Sequence, residues 1–159
     1  MRTALALALL AACDRSAPRA VDGGEDGGAV VVVPGRRIGP LQVGMDRRAL
    51  SRQGLPITLY DGGSQRLRAG PYELRFNPQG RVERVSLPMD RAPDGVRLDG
   101  TVLPQGADVD RVVSLAPGCT PAVPLDGVAT WRCAGGGLLV QVARDTLVLS
   151  VAQPLDAGS

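Results

Sequence analysis

Hydrophobic and polar positions alternate most regularly in YELRFNPQGRVERVSLP, residues 72–88. Tyr72, Leu74 and Phe76 fall on one side of an extended chain, with Glu73 and Arg75 on the other. A period of two predicts a half-buried strand. Asn77-Pro78-Gln79-Gly80 is turn chemistry, and the returning stretch places Val85 and Leu87 on one face. The pattern predicts a hairpin with a core side and a polar side. Upstream, the β-branched run Val30-Val31-Val32-Val33 predicts a strand. Asp46 predicts an N-cap, with Met45 and Leu50 placed as a hydrophobic staple across it. Gly54 and Pro56 end the helix after about two turns, and Arg47, Arg48 and Arg52 mark its outer side.

The same order recurs further along. LQVGMDRRAL (41–50) aligns with LPQGADVDRV (103–112) at an offset of 62 residues. Asp108 then becomes a second N-cap, with Val109, Val112 and Val113 as the apolar stripe. GPYELRFNPQGRVERVSLP (70–88) aligns without gaps to GGLLVQVARDTLVLSVAQP (136–154) at an offset of 66. Ordered recurrence favours duplication over chance matching in a Val/Leu/Gly-rich chain. The expected fold class is therefore α+β: two tandem units, each a short helix packed on a small antiparallel β-sheet. Residues 30–95 form the first unit, 96–155 the second, and 156–159 a tail.

The N-terminus follows another grammar. Arg2 precedes an apolar run from Thr3 to Leu10, and Ala11-Ala12 supplies small residues. This is the layout of a signal peptide, residues 1–12. From Thr3 to Ala12 the run is about half the ~20 residues that a spanning helix needs. Leu10-Ala11-Ala12-Cys13 resembles the bacterial lipobox. The resemblance implies that the Cys13 thiol receives a diacylglycerol, that the chain is cut before it, and that the new amino group is acylated. Several acyl chains together anchor a protein stably where one does not. Residues 13–29 are rich in Gly, Asp, Pro and Ser without an apolar period, and predict a flexible tether. DGGEDGG within it lacks the ligand spacing of a calcium loop.

Three cysteines make an odd number, which an exported chain must accommodate. With Cys13 acylated, Cys119 and Cys133 are left to pair, and an oxidising periplasm would keep the pair as a disulfide. Such a bridge would close a loop of about 15 residues, worth roughly 3 kcal/mol in the chain-entropy picture. The chain has no His, and all 18 basic residues are Arg. That removes Ser-His-Asp and Cys-His catalysis, and no Cys/His cluster has zinc spacing. Asp108 and Asp110 read as helix-dipole partners. Gly135-Gly136-Gly137 precedes a strand and so makes no phosphate cradle. No catalytic residue, cofactor or metal is expected, and the chain does not read as an enzyme.

Val43-Gly44-Met45-Asp46, followed by Leu50 and Gly54-Leu55-Pro56, resembles the opening of the SmpA/OmlA lipoproteins. There a capped helix ending in Gly-x-Pro is followed by an antiparallel sheet. That group shares its architecture with the β-lactamase inhibitor protein, a tandem repeat of such a unit. The sequence departs from the pattern where Asp46 replaces the hydroxyl cap and Ala107 stands in the Met position of the second half. The inhibitor's aromatic binding face is not matched, since aromatics are only 3% of the chain.

Charge is asymmetric. Residues 36–97 hold 12 Arg against six acids, and residues 98–159 hold three Arg against six acids. Arg66 and Arg68 share a strand face, and Arg75 falls on the polar side of the hairpin. These three are the candidate partner-binding residues, for an envelope protein or an acidic envelope surface. The other reading is a solvated arginine face. Nucleic acid is not an expected partner, because no aromatics interleave the basic residues. The expected function is a non-catalytic binding or accessory subunit of an envelope assembly. It would be held on the periplasmic face of the inner or outer membrane through acylated Cys13. The alternative is a proteinaceous inhibitor of an envelope hydrolase.

Overall fold

Four consecutive valines favour extended backbone, and Val30–Val33 forms strand β1. A turn at Gly35 returns the chain antiparallel as β2 (Arg37–Ile38), and β3 (Leu41–Gln42) follows. These belong to a computed structural model that describes residues 28–59, 65–125 and 127–153. The signal segment 1–12, Cys13, almost all of the tether and the tail 156–159 lie outside the described residues.

Asp46 caps helix α1 (Arg47–Ser51), its Oδ1 accepting from the Ala49 N–H at 2.7 Å. Leu50 is the buried residue of α1. A meander follows: β4 (Ile57–Leu59), β5 (Arg66–Ala69), β6 (Tyr72–Phe76) and β7 (Val82–Pro88). The hairpin at 72–88 has Leu74 facing Val85, with the register shifting by one between Arg75 and Phe76. Asn77 holds its turn, its Oδ1 accepting from the N–H groups of Gln79 and Arg81. The chain then enters β8 (Val96–Leu98) and β9 (Thr101–Leu103), joined through Asp99-Gly100, both at positive φ. That is the turn geometry an Asp-Gly pair favours. Asp108 caps α2 (Val109–Leu115) in the manner of Asp46, accepting from the Arg111 N–H at 2.7 Å. A second meander completes the chain: β10 (Thr120–Leu125), β11 (Val128–Cys133), β12 (Leu138–Ala143) and β13 (Thr146–Ala152).

The strands form two sheets. One runs β3-β2-β1-β8-β9, and the other β10-β11-β12-β13-β7-β6-β5-β4. Read outward from the β7–β13 seam, the large sheet gives β7, β6, β5, β4 on one side and β13, β12, β11, β10 on the other. The small sheet reads outward from β1 as β2, β3 and as β8, β9. β1 pairs parallel with β8, Val30 facing Val96, so both sheets run across the middle of the chain.

This overturns the expected α+β class of helix-on-sheet units. The described residues are mostly β-sheet, 50% strand and 15% helical, with one helix of seven or more residues among them. The physical reason is length. At 1.5 Å per residue, helices of about 5 and 7 residues are too short to cover a four-stranded sheet. The apolar face of the large sheet is instead covered by the small sheet, through packing of β2 against β7 and β13. Val32, Ile38, Leu41, Val96, Leu98 and Leu103 supply the small sheet's inner face, each 3% exposed or less. Helix α2 packs on β12, with Val112 fully buried.

Cys119 and Cys133 are at disulfide distance in the fold, tying the start of β10 to the end of β11. Cys133 is fully buried and Cys119 partly so.

Candidate functional site: an arginine row on the outer face of the large sheet

Side chains alternate across a strand, so the buried positions fix which face each arginine occupies. Leu67 and Ala69 of β5, Leu74 of β6 and Val85 of β7 point into the core. Arg66 and Arg68 of β5, Arg75 of β6 and Arg84 of β7 therefore project from the opposite face. Arg66, Arg68 and Arg75 are all exposed, while Arg84 is half-buried.

Register brings these residues together. Arg66 stands directly opposite Arg75, and Arg75 directly opposite Arg84. Directly opposed side chains have Cβ atoms about 4.5–5.5 Å apart, and like charges so placed destabilise a sheet. Arg68 lies in the neighbouring row, opposite Glu73, and its Nε donates to the Gly70 carbonyl at 3.1 Å. The three candidate residues thus divide: Arg66 and Arg75 share the all-arginine row, whereas Arg68 has a carboxylate across from it.

The nearby acids are already engaged. Glu73 accepts from Arg91 at 2.9 Å, and Glu83 meets the Arg75 Nε at 3.4 Å with both side chains about half exposed. Among the described residues, neither Arg66 nor Arg84 has a carboxylate within salt-bridge distance. The Arg84 Nε is buried without a hydrogen-bond partner. Burial first, then repulsion from Arg75 and Arg66, pulls the Arg84 guanidinium below the ordinary arginine range, with Glu83 opposing. It remains a cation near neutral pH, as guanidinium groups do in proteins.

Strand face alone does not single out Arg84. The hairpin contained the signal: folding back at Asn77-Gly80 sets Arg75 across from Arg84. Beyond Arg84 the row continues to Ala152 of β13. In the adjoining row Ser86 and Ser150 cross the seam with their hydroxyls 2.8 Å apart.

A cleft of about 320 Å³ lies elsewhere, on the small sheet, lined mainly by Val31, Val33, Pro34, Arg97 and Pro117. Among the described residues no group of three or more His, Cys, Asp and Glu could hold a metal ion. Also among them, no helix is long and apolar enough to cross a membrane. Asp108 is engaged as a cap and Asp110 lies in the same first turn. Comparison of the chain with protein-family models, curated proteins and solved structures finds no match.

Proposed function

We propose that the protein is a non-catalytic binding or accessory subunit of an envelope assembly. In this reading acylated Cys13 holds it on a membrane, and the tether lets the β-domain face the periplasm. The outer face of the large sheet is the contact surface, and its partner is an envelope protein or an acidic envelope surface. The observation that carries the reading is the row Arg66–Arg75–Arg84, set in register with a buried, unpaired Nε at its inner end. A row of like charges weakens the sheet that holds it, and a complementary anionic surface relieves that cost while steering association.

The test is affinity capture of the full chain from detergent-solubilised native membranes. Wild-type protein should retain an envelope partner. The triple variant Arg66→Glu, Arg68→Glu, Arg75→Glu should lose it, and capture should weaken as salt is raised. Equal capture by both proteins would remove the outer face from consideration.

A further inference from the structure

We infer that the row Arg66–Arg75–Arg84 is a binding site for a phosphoryl group, an inference that deepens the outer-face reading and rests on it. The local charge balance narrows the ligand. Glu73 is taken by Arg91 and Glu83 by Arg75. Arg66 and Arg84 are left at the two ends of the row with no carboxylate partner among the described residues. Arg66 and Arg84, without a salt-bridge partner among the described residues, and a partly neutralised Arg75 between them match a group carrying nearly two negative charges. A phosphate monoester carries about −1.5 to −2 near neutral pH and offers three acceptor oxygens. A carboxylate offers two oxygens and a single charge.

Geometry agrees with charge. Adjacent strands lie about 4.8 Å apart, so the three arginine stems rise from a line about 10 Å long. Arginine side chains are long enough to converge from that line on one group, and their planar forks suit phosphate oxygens. Arg84 is half-buried and lacks a hydrogen bond at Nε, and Glu83, the acid that acts on it, is already paired with Arg75. A partly desolvated cation without a salt-bridge partner attracts an incoming anion more strongly than an exposed one. The row's next member, Ala152, contributes only a methyl group and cannot reach across the guanidinium. A lipid headgroup and a soluble phosphate compound present the same phosphoryl chemistry, and the experiment separates them.

The experiment is thermal unfolding of the full chain in a neutral detergent, titrated with inorganic phosphate. Sodium chloride and sodium acetate at matched ionic strength are the comparison salts. Phosphate at about 100 times its dissociation constant should raise Tm by roughly 8 °C, and acetate should not. Arg84→Gln should remove most of that shift without lowering Tm in the absence of phosphate. Exposed Arg66→Gln is the second variant, and it should weaken phosphate binding about tenfold or more. In a second arm, the micelles carry phosphatidic acid or phosphatidylcholine. A larger shift with phosphatidic acid, competed by free phosphate, identifies a headgroup as the source, whereas a shift with free phosphate alone identifies a soluble ligand. If acetate matches phosphate, or if both variants keep the full shift, the phosphoryl assignment is wrong while the outer-face reading still stands on membrane capture. If phosphate binds but capture ignores the reversals, the site stands and the outer-face reading falls.

Discussion

Ser86 and Ser150 meet at the seam of the eight-stranded sheet, their hydroxyl oxygens 2.8 Å apart and Ser150 only 1% exposed. The two residues lie 64 positions apart in sequence and sit directly opposite in the β7–β13 register. They make a polar contact in the row between the outward arginines and the outer face of β12. Replacing Ser150 by Ala should cost about 1 kcal/mol, because Ser86 then loses its partner. Ser86→Ala should cost a similar amount, since it leaves the fully buried Ser150 hydroxyl unpaired. A double-mutant cycle by urea unfolding should return a coupling of about 0.5 kcal/mol or more. Additive single effects would mean that the hydroxyls do not interact.

The disulfide should contribute what the length of the loop it closes sets. Cys119 and Cys133 are separated by 14 positions, a loop for which the chain-entropy picture gives about 3 kcal/mol. The double variant Cys119→Ala, Cys133→Ala should lower the urea midpoint accordingly. Hydrogen exchange should rise first in β10, which is the edge strand that the bridge fastens. Unchanged exchange in β10 would contradict this.

The β12–β13 hairpin turns through Arg144-Asp145, with φ of 48° and 64°. Both positions carry side chains in the left-handed region, where each costs roughly 1 kcal/mol relative to glycine. The equivalent turn between β8 and β9 uses Asp99-Gly100. Asp145→Gly should therefore stabilise the protein by up to about 1 kcal/mol, read as a higher midpoint of urea unfolding. A lower midpoint would show that the Asp145 side chain contributes something the turn geometry does not.

Tyr72 sits in the core against Gly39, where any Cβ would collide with its hydroxyl. Burial raises its phenol above the ordinary value of 10.0. The sign follows from linkage: a raised folded-state value stabilises below the unfolded value and is lost as pH climbs through the folded one. Stability measured by urea should be level from about pH 7 to 9 and fall above about pH 10. Tyr72→Phe should flatten the alkaline limb. An unchanged limb would assign the loss to other groups.

Much of the large sheet could be read from local pattern. Tyr72, Leu74, Phe76, Val85 and Leu87 alternate over a span that a turn closes, and Asp46 and Asp108 mark helix starts by their chemistry. The small sheet could not be read in the same way. β2 and β3 hold two residues each, inside a stretch of Gly, Arg and Pro, so no period has room to show. The parallel pairing of Val30 with Val96 joins residues 66 apart, and no local signal encodes it. With the covering layer hidden, the pattern shows only two short helices as cover for the sheet, and so predicts an α+β class that the structure does not have. Arg66 and Arg75 were recognisable as exposed cations. Their opposition, and the addition of Arg84 to the row, depended on strand register, which is set by the hairpin turn and the bulge after Arg75.

The central claim is that the partner meets the outer face of the large sheet. Site-specific photo-crosslinking in living cells tests it most directly, with the probe placed at Arg68 of β5 or at exposed Val102 of the small sheet, which is 47% accessible. Contact through that face gives a discrete crosslinked product from position 68 and none from position 102. The same product from both positions, or one from position 102 alone, would contradict it.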